Sequence, residues 1–534
     1  MGCSLIKFHL TRSHWAVFFF ALLALALDRL NILALFHFHW VDDDQAVLWH
    51  AASDLAQGIF REPRFYGQNY STWLESLVAT PAIYLGVPHA VALPLASASL
   101  ALLPFVLLVL VCLRRGAIEL ALGCLLVALC LPFQYAIISC MPRGFVPGIA
   151  IAAVALGIAS LRSTATREFA IGALSVLAVS ANPNAAPLSV AVLVYVLARA
   201  WSESHLPRLL YPALGASLAL AFHFWIQSFY RRNPDYAAHP PIKIHISFSA
   251  FEESLEGLAN YTRYFSPVAD FPVVLPVFLV LGLLLLMFRF SSRAHAFSYL
   301  AGLLTLVSAL ALEKVQDGSS SIYQPWARMF LGAPILWAWG LSTMQVRLPK
   351  RTPHLLCVLV VGIISLRLMR GPEAISEIAL APEHQVQASR VERIKRECDR
   401  IWLLSKENDA EIVIFGVHAV TKILNYACPA LWHLAGPETL FPPFERRTWK
   451  IRDEWLTARS RLLLYEFRPT RAFRGSSLVK HKRQLDLVPR ILLVETTRQP
   501  IALTLAGFDY PLKRSRRSLQ MLRRRGLIPS SRQD

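Results

Sequence analysis

The stretch HWAVFFFALLALALDRLNILALF, His14–Phe36, is followed six residues later by Asp42-Asp43-Asp44-Gln45. An apolar run of this length matches a membrane-crossing helix, which needs about 20 residues. A helix in lipid does not need three carboxylates in a row at its exit. Ionisable groups at such places usually serve a substrate, an ion or a partner. The two features together predict a membrane protein with chemistry at one face.

Further apolar runs follow at Ala90–Leu113, Ile118–Ile138, Phe145–Leu161, Phe169–Ala181, Ala186–Ala198, Leu209–Phe229, Val273–Phe288, Ala294–Leu312, Met329–Met344 and Leu355–Met369. Each backbone must close its own hydrogen bonds in lipid, so these read as helices. Phe169–Ala181 and Ala186–Ala198 are short and joined through Asn182-Pro183-Asn184, giving either two tilted spans or one re-entrant pair. The chain has 534 residues, 55% hydrophobic and only 17% charged, with mean hydropathy +0.44, too apolar for an ordinary soluble protein of this size. The expected architecture is a polytopic α-helical membrane domain of about 11 spans over residues 1–369. A basic α/β domain over 370–534 is expected to follow it.

Basic residues set the orientation. Arg114-Arg115, Arg162 with Arg167, Arg199 with Arg208, Arg289 with Arg293, and Arg347 with Lys350 and Arg351 fall in every second connection. Those connections belong inside, with the N-terminus. The acidic run and the region after Met369 then face outward. The first apolar run lacks a small-residue cleavage site and reads as a span rather than a signal peptide.

The net charge is +19, much of it after Met369, ending in Lys513-Arg514-Ser515-Arg516-Arg517 and Arg523-Arg524-Arg525. A basic domain beside a membrane suits anionic headgroups or phosphates, and nucleic acid is a poor partner on the outer side. A solvated basic tail is the alternative for the last residues. Among eight cysteines, Cys398 and Cys428 fall in the outer region, where an oxidising compartment permits a disulfide. No CxxC or HExxH metal spacing occurs. A divalent metal held between paired carboxylates and phosphate oxygens stays open as a cofactor, though nothing requires one.

The first outer segment, His37–Pro88, carries helical spacing over Asp44–Gly58 and again over Ser71–Leu85, with Pro63 and Gly67 breaking the chain between. These read as amphipathic helices on the membrane surface. Later outer segments place Arg143 between Pro142 and Gly144, and Tyr323 and Arg328 before a late span. Past Met369, Glu383–Leu404 reads as a polar helix, Glu411–Gly416 and Ile491–Glu495 as buried strands, and Ile501–Phe508 as a further strand.

Acids and arginines gathered at an outer face suit transfer from a lipid-linked phosphate. An ionised Asp within reach of an acceptor hydroxyl acts as general base. Glycosyl transfer builds positive charge at the sugar carbon, which a carboxylate stabilises, while Arg stabilises the departing phosphate.

The run Asp42-Asp43-Asp44-Gln45-Ala46-Val47, then Asp54-Leu55 and Gly58, then Tyr66-Gly67-Gln68-Asn69-Tyr70 and Trp73-Leu74-Glu75, resembles the first outer loop of GT-C-type polyprenyl-phosphate-sugar-dependent glycosyltransferases. The bacterial branch is akin to protein O-mannosyltransferases and the aminoarabinose transferases of lipid A. The close match covers roughly Trp40–Gly86, with a looser echo at Ser321–Pro334. The resemblance implies an inverting transfer from a polyprenyl-phosphate sugar to a glycan, lipid or protein acceptor, in a bacterial inner membrane with the site in the periplasm. By the spacing to Gly58 its essential acid falls on Asp44, with Asp42 assisting and Asp43 a further candidate. Tyr66, Gln68, Tyr70, Glu75, Arg143, Tyr323 and Arg328 are the implied substrate-binding set. Many members carry an acid directly after the essential Asp, where this chain has Gln45.

Plainer roles compete at each position. Asp is a favoured helix N-cap, interfacial aromatics pack at membrane edges, and Arg143 or Arg328 can snorkel. Two other functions also fit. A flippase or transporter of a lipid-linked sugar would show polar groups at mid-membrane and repeated halves. A non-catalytic relative would use the outer domain for binding.

Overall fold

A computed structural model describes residues 11–161, 163–233, 236, 245–265, 274–316, 321–323, 328–346, 349, 351–416, 419–441, 445–447, 458–466, 479–486, 489–501 and 504–505. The basic clusters Lys513–Arg517 and Arg523–Arg525 lie outside the described residues. The chain forms two compact units. One comprises Met1–Phe38, Pro94–Trp225 and Ile242–His384; the other comprises His39–Leu93, Ile226–Pro241 and Gln385–Asp534.

Every apolar run in the sequence lands on helix. Among the described residues, six helices are long and apolar enough to cross a membrane by length and composition, and a bent pair makes up to seven. The others are shorter, among them Pro147–Ala159 with 13 residues and Ala333–Ser342 with 10. The expected span Ile118–Ile138 is not one rod. It is two helices, Ile118–Leu129 and Phe133–Cys140, bent by 87°. Pro132 supplies the cause: it lacks an N–H, and its ring pushes Leu131 out of the helical region.

Within the first unit, helix Ala186–Ser202 packs along Arg293–Ser308. The Ser298 hydroxyl donates to the Ala191 carbonyl, and Tyr195 stacks on His295 with centroids 4.6 Å apart. A buried ion cluster joins the first helix, Arg12–Ile32, to the long helix Thr352–Leu380. Asp28 pairs with Arg29 at 2.8 Å and with Arg367 at 2.5 Å, and Arg367 also donates to the Leu131 carbonyl at 2.7 Å. Asp28 and Arg29 are adjacent in sequence, and their pair is extended by a residue from another helix. Arg367, far along the chain, bridges to it. The helix carrying Arg367 runs on past Met369 to Leu380.

The second unit centres on helix Asp43–Ala56. Residues Gln45 through Asp54 of this helix are all buried. The helix lies where the spacing placed one, but it is enclosed rather than open on one face. Helices Leu74–Tyr84 and Ala419–Leu431 both pack on it. The second of these comes from the C-terminal region, which local spacing cannot reveal.

Among the described residues, seven strands complete this unit: β1 (Trp40–Asp42), β2 (Ala388–Arg390), β3 (Ile412–Phe415), β4 (Glu438–Leu440), β5 (Ala458–Tyr465), β6 (Val479–Asp486) and β7 (Ile491–Pro500). β1 and β2 pair antiparallel, with Asp42 opposite Ala388. The others form a sheet in the order β4-β3-β5-β7-β6, parallel from β4 to β5 and antiparallel beyond. β3 and β7 sit where the apolar runs predicted strands. The polar helix expected over Glu383–Leu404 is interrupted by β2 and resumes as Val391–Glu407. Ile501, Thr504 and Leu505 are helical, not extended as the reading of Ile501–Phe508 expected, and the rest of that segment lies outside the described residues. A Cys398–Cys428 disulfide ties Val391–Glu407 to Ala419–Leu431.

Candidate active site

The acidic run divides its labour. Asp42 is the N-cap of the helix: it is 1% exposed, and its carboxylate accepts the Gln45 N–H at 2.8 Å. The capping role weighed against function in the sequence is therefore filled by Asp42. Asp43 and Asp44 occupy the first turn, where the helix dipole favours negative charge. Their side chains turn to Arg446. Its guanidinium pairs with Asp44 and lies 3.3 Å from Asp43. Burial opposes the Arg446 charge, but the carboxylates of Asp44 and then Asp43 outweigh it and hold the guanidinium more firmly protonated than usual.

Arg446 is the residue that sequence reasoning missed. It stands about 400 residues from its partners. The pair Arg446-Arg447 was the available signal, and it was lost among the many basic residues of this region. A buried network fixes the segment. Arg447 donates to Glu445 at 2.8 Å and to the Asn425 side-chain oxygen at 2.8 Å, and the Arg446 N–H donates to the Tyr426 hydroxyl at 3.1 Å. Burial pushes Glu445 up, but Arg447 beside it and its other hydrogen bonds prevail and hold the carboxyl below the usual range.

The Tyr66–Tyr70 motif closes on the same segment. Gly67 has φ +75°, and a Cβ there would meet the Arg446 carbonyl oxygen at 2.7 Å. The Gly67 N–H donates to Glu62 at 3.0 Å, and the Tyr230 hydroxyl donates to the same carboxyl at 3.1 Å. Burial pushes Glu62 well above the usual carboxylate range, against the pull of these two hydrogen bonds. Tyr66 donates to Asp54 at 2.8 Å, with His50 and Arg61 each 3.8 Å from that carboxylate. Burial and then the Asp54 charge raise the Tyr66 phenol, so it stays a donor. Gln68 is 9% exposed and Glu75 fully buried, whereas Tyr70 keeps a partly open face.

Arg143, Tyr323 and Arg328 belong to the first unit, and there they converge. The Arg143 guanidinium lies 5.4 Å from the Phe145 ring centroid and 5.2 Å from that of Tyr323. The Arg328 guanidinium lies 5.0 Å from the same Phe145 ring. Two guanidiniums over one ring stand within about 10 Å of each other, and their mutual repulsion is of order 2 kcal/mol at an effective dielectric of 20. Tyr323 in turn pairs its hydroxyl with His384 Nδ1 at 2.7 Å. Among the described residues no group of three or more His, Cys, Asp or Glu gathers in a metal-holding arrangement, and the acidic pair faces Arg446.

Comparison with known proteins adds one finding. The chain is similar to the crystal structure of ArnT from Cupriavidus metallidurans bound to undecaprenyl phosphate, with TM-score 0.51 and 14% identity, covering 91% of this chain and 98% of that one. The fold is of GT-C type. No family model matches the sequence, and no curated protein does. The GT-C likeness spans nearly the whole chain, well beyond the first outer loop that suggested it. With the apolar helices, it makes this an integral membrane protein.

Proposed function

We propose that the protein is a membrane glycosyltransferase that moves a sugar from a polyprenyl-phosphate carrier to an acceptor hydroxyl on the outer face, with inversion. The GT-C fold supports this class, and the alternation of basic connections supports an outward site with the N-terminus inside. The observation that carries the reading is the division within the acidic run. Asp42 is committed to the cap, whereas Asp44 keeps a carboxylate that is 17% exposed at the first turn.

In the proposed reaction the acceptor oxygen attacks the anomeric carbon from the face opposite the phosphate. Its proton passes to Asp44 as the new C–O bond forms. The bond from that carbon to the phosphate oxygen breaks, and polyprenyl phosphate leaves with the electron pair. Phosphate is already a good leaving group, so cations suffice at that end. Arg143 and Arg328, with Tyr323, are assigned to the lipid phosphate in the first unit. Arg446 pairs with Asp44 in the second. Burial gives Tyr66 and Glu75 framing roles, and leaves Tyr70, then Gln68, for the substrate. Asp43 steadies Arg446.

The test uses purified protein in lipid with a panel of polyprenyl-phosphate sugars, following release of polyprenyl phosphate. Asp44→Asn is isosteric and should lower transfer by about 100-fold or more, in the range for loss of a general base. A wild-type rate in that variant would sink the assignment.

A further inference from the structure

The Asn182-Pro183-Asn184 connection was ambiguous in sequence, and the site as described gives it no task. It lies in the first unit. Helix Ala165–Ala181 ends at Asn182, whose side-chain oxygen accepts the Asn184 N–H at 3.1 Å. Asn182 Nδ2 donates to the Gly144 carbonyl at 2.8 Å. Asn184 is 1% exposed, and its Nδ2 donates to two carbonyls on separate segments, Phe145 at 2.8 Å and Arg328 at 3.2 Å.

Those carbonyls bracket the two arginines. Gly144 and Phe145 directly follow Arg143, and Phe145 carries the ring that both guanidiniums cover. Arg328 is held by its own main chain. Two like charges drift apart unless their backbones are fixed. A carboxamide is suited to this fixing, because its NH2 offers two donors from one atom. A buried carbonyl left without its donor would force the segment to shift, since unmade buried hydrogen bonds are expensive.

We propose that Asn184, with Asn182 beside it, is a positioning residue that sets the spacing of Arg143 and Arg328 for a lipid-linked phosphate. The inference rests on the arginine assignment made above. Asn184 touches no substrate; it acts by fixing two loops at one point. A displacement of about 1 Å weakens both contacts at once, because the phosphate sits between the charges.

The probe is undecaprenyl phosphate, and its dissociation constant is measured on the full-length protein in nanodiscs at several salt concentrations. Asn184→Asp keeps the volume but turns an oxygen toward the two carbonyls. It should raise the dissociation constant about tenfold and flatten its salt dependence. Asn184→His, which retains a ring N–H donor near the same place, should recover most of the affinity. Asn182→Ala, which releases only Gly144, should give a smaller loss and serves if Asn184→Asp fails to fold. Arg143→Gln and Arg328→Gln report on the underlying assignment. If they weaken binding while the Asn184 and Asn182 variants bind as wild type, the positioning role is refuted and the arginine reading stands. If the arginine variants also bind as wild type, the phosphate assignment itself fails and the proposal with it.

Discussion

Gly67→Ala tests whether the Tyr66–Tyr70 motif and Arg446 form one structure. Gly67 has φ +75°, and an added Cβ would sit 2.7 Å from the Arg446 carbonyl oxygen, 2.8 Å from its Cβ and 2.9 Å from its Cα. Two penalties follow. A left-handed backbone disfavours any residue with a Cβ by about 1–2 kcal/mol. Overpacking of a filled site adds about 1–3 kcal/mol, here at the upper end, since the obstacle is main chain and its N–H is bonded to Tyr426. Gly58→Ala separates the two. Gly58 has nearly the same φ, +73°, but nothing lies within 4 Å of its added Cβ. Gly58→Ala should therefore lower stability by about 1–2 kcal/mol, and Gly67→Ala by about 2–5 kcal/mol. The assay is thermal unfolding in one detergent at matched protein concentration, with transfer activity on the folded fraction. Gly67→Ala should also lose activity, because Arg446 is pushed away from Asp44. Equal midpoints for the two variants would refute the close approach and, with it, the coupling of the motif to Arg446.

Other expectations concern buried charge and the base. Asp28→Asn leaves Arg29 and Arg367 buried without their carboxylate and should destabilise the first unit by about 3–5 kcal/mol; an unchanged unfolding midpoint would show the cluster is dispensable. Asp44→Asn should abolish polyprenyl phosphate release while folding normally in the membrane, as read by size-exclusion and transfer assays together. Glu62 should make stability fall as pH rises. Its folded value is raised, so the unfolded chain releases its proton first, and stability declines from about pH 4.5 upward until the folded value is passed. Glu62→Gln should flatten that slope in a pH series of thermal midpoints, and an identical slope in the variant would exclude Glu62 as its source.

What the sequence revealed follows from the range of the forces involved. Hydropathy is local, so the apolar runs located the helices, and the failure at Ile118–Ile138 is a backbone effect of Pro132 that an apolar count does not register. Period and breaker residues placed helices at Asp43–Ala56 and Leu74–Tyr84. Of the strands missed, β5 ends in the buried run Leu462–Tyr465, whereas β6 has no apolar signature. β6 carries Lys480, His481, Lys482 and Arg483 on an exposed edge, where charge protects against unwanted pairing. The acidic run was legible as a candidate through its spacing to Gly58. Its partner was not legible. Arg446 reaches Asp43 and Asp44 only because Ala419–Leu431 packs on the helix that begins with them, and no window of sequence contains both.

The Arg446 pairing also bears on why three acids stand together. The cap engages one oxygen of Asp42 with the Gln45 N–H and buries that carboxyl, whereas Asp44 in the first turn is 17% exposed. Asp44 in turn is paired with the Arg446 guanidinium, which its carboxylate neighbours hold firmly protonated. Asp43 shares the same guanidinium at 3.3 Å. When an acceptor hydroxyl approaches Asp44, the guanidinium has a second carboxylate on which to rest, and no buried cation is left unpaired. On this argument Asp43→Asn should slow transfer less than Asp44→Asn, because Arg446 still has the Asp44 carboxylate. Equal losses from the two substitutions would show that Asp43 is more than a second rest for the cation.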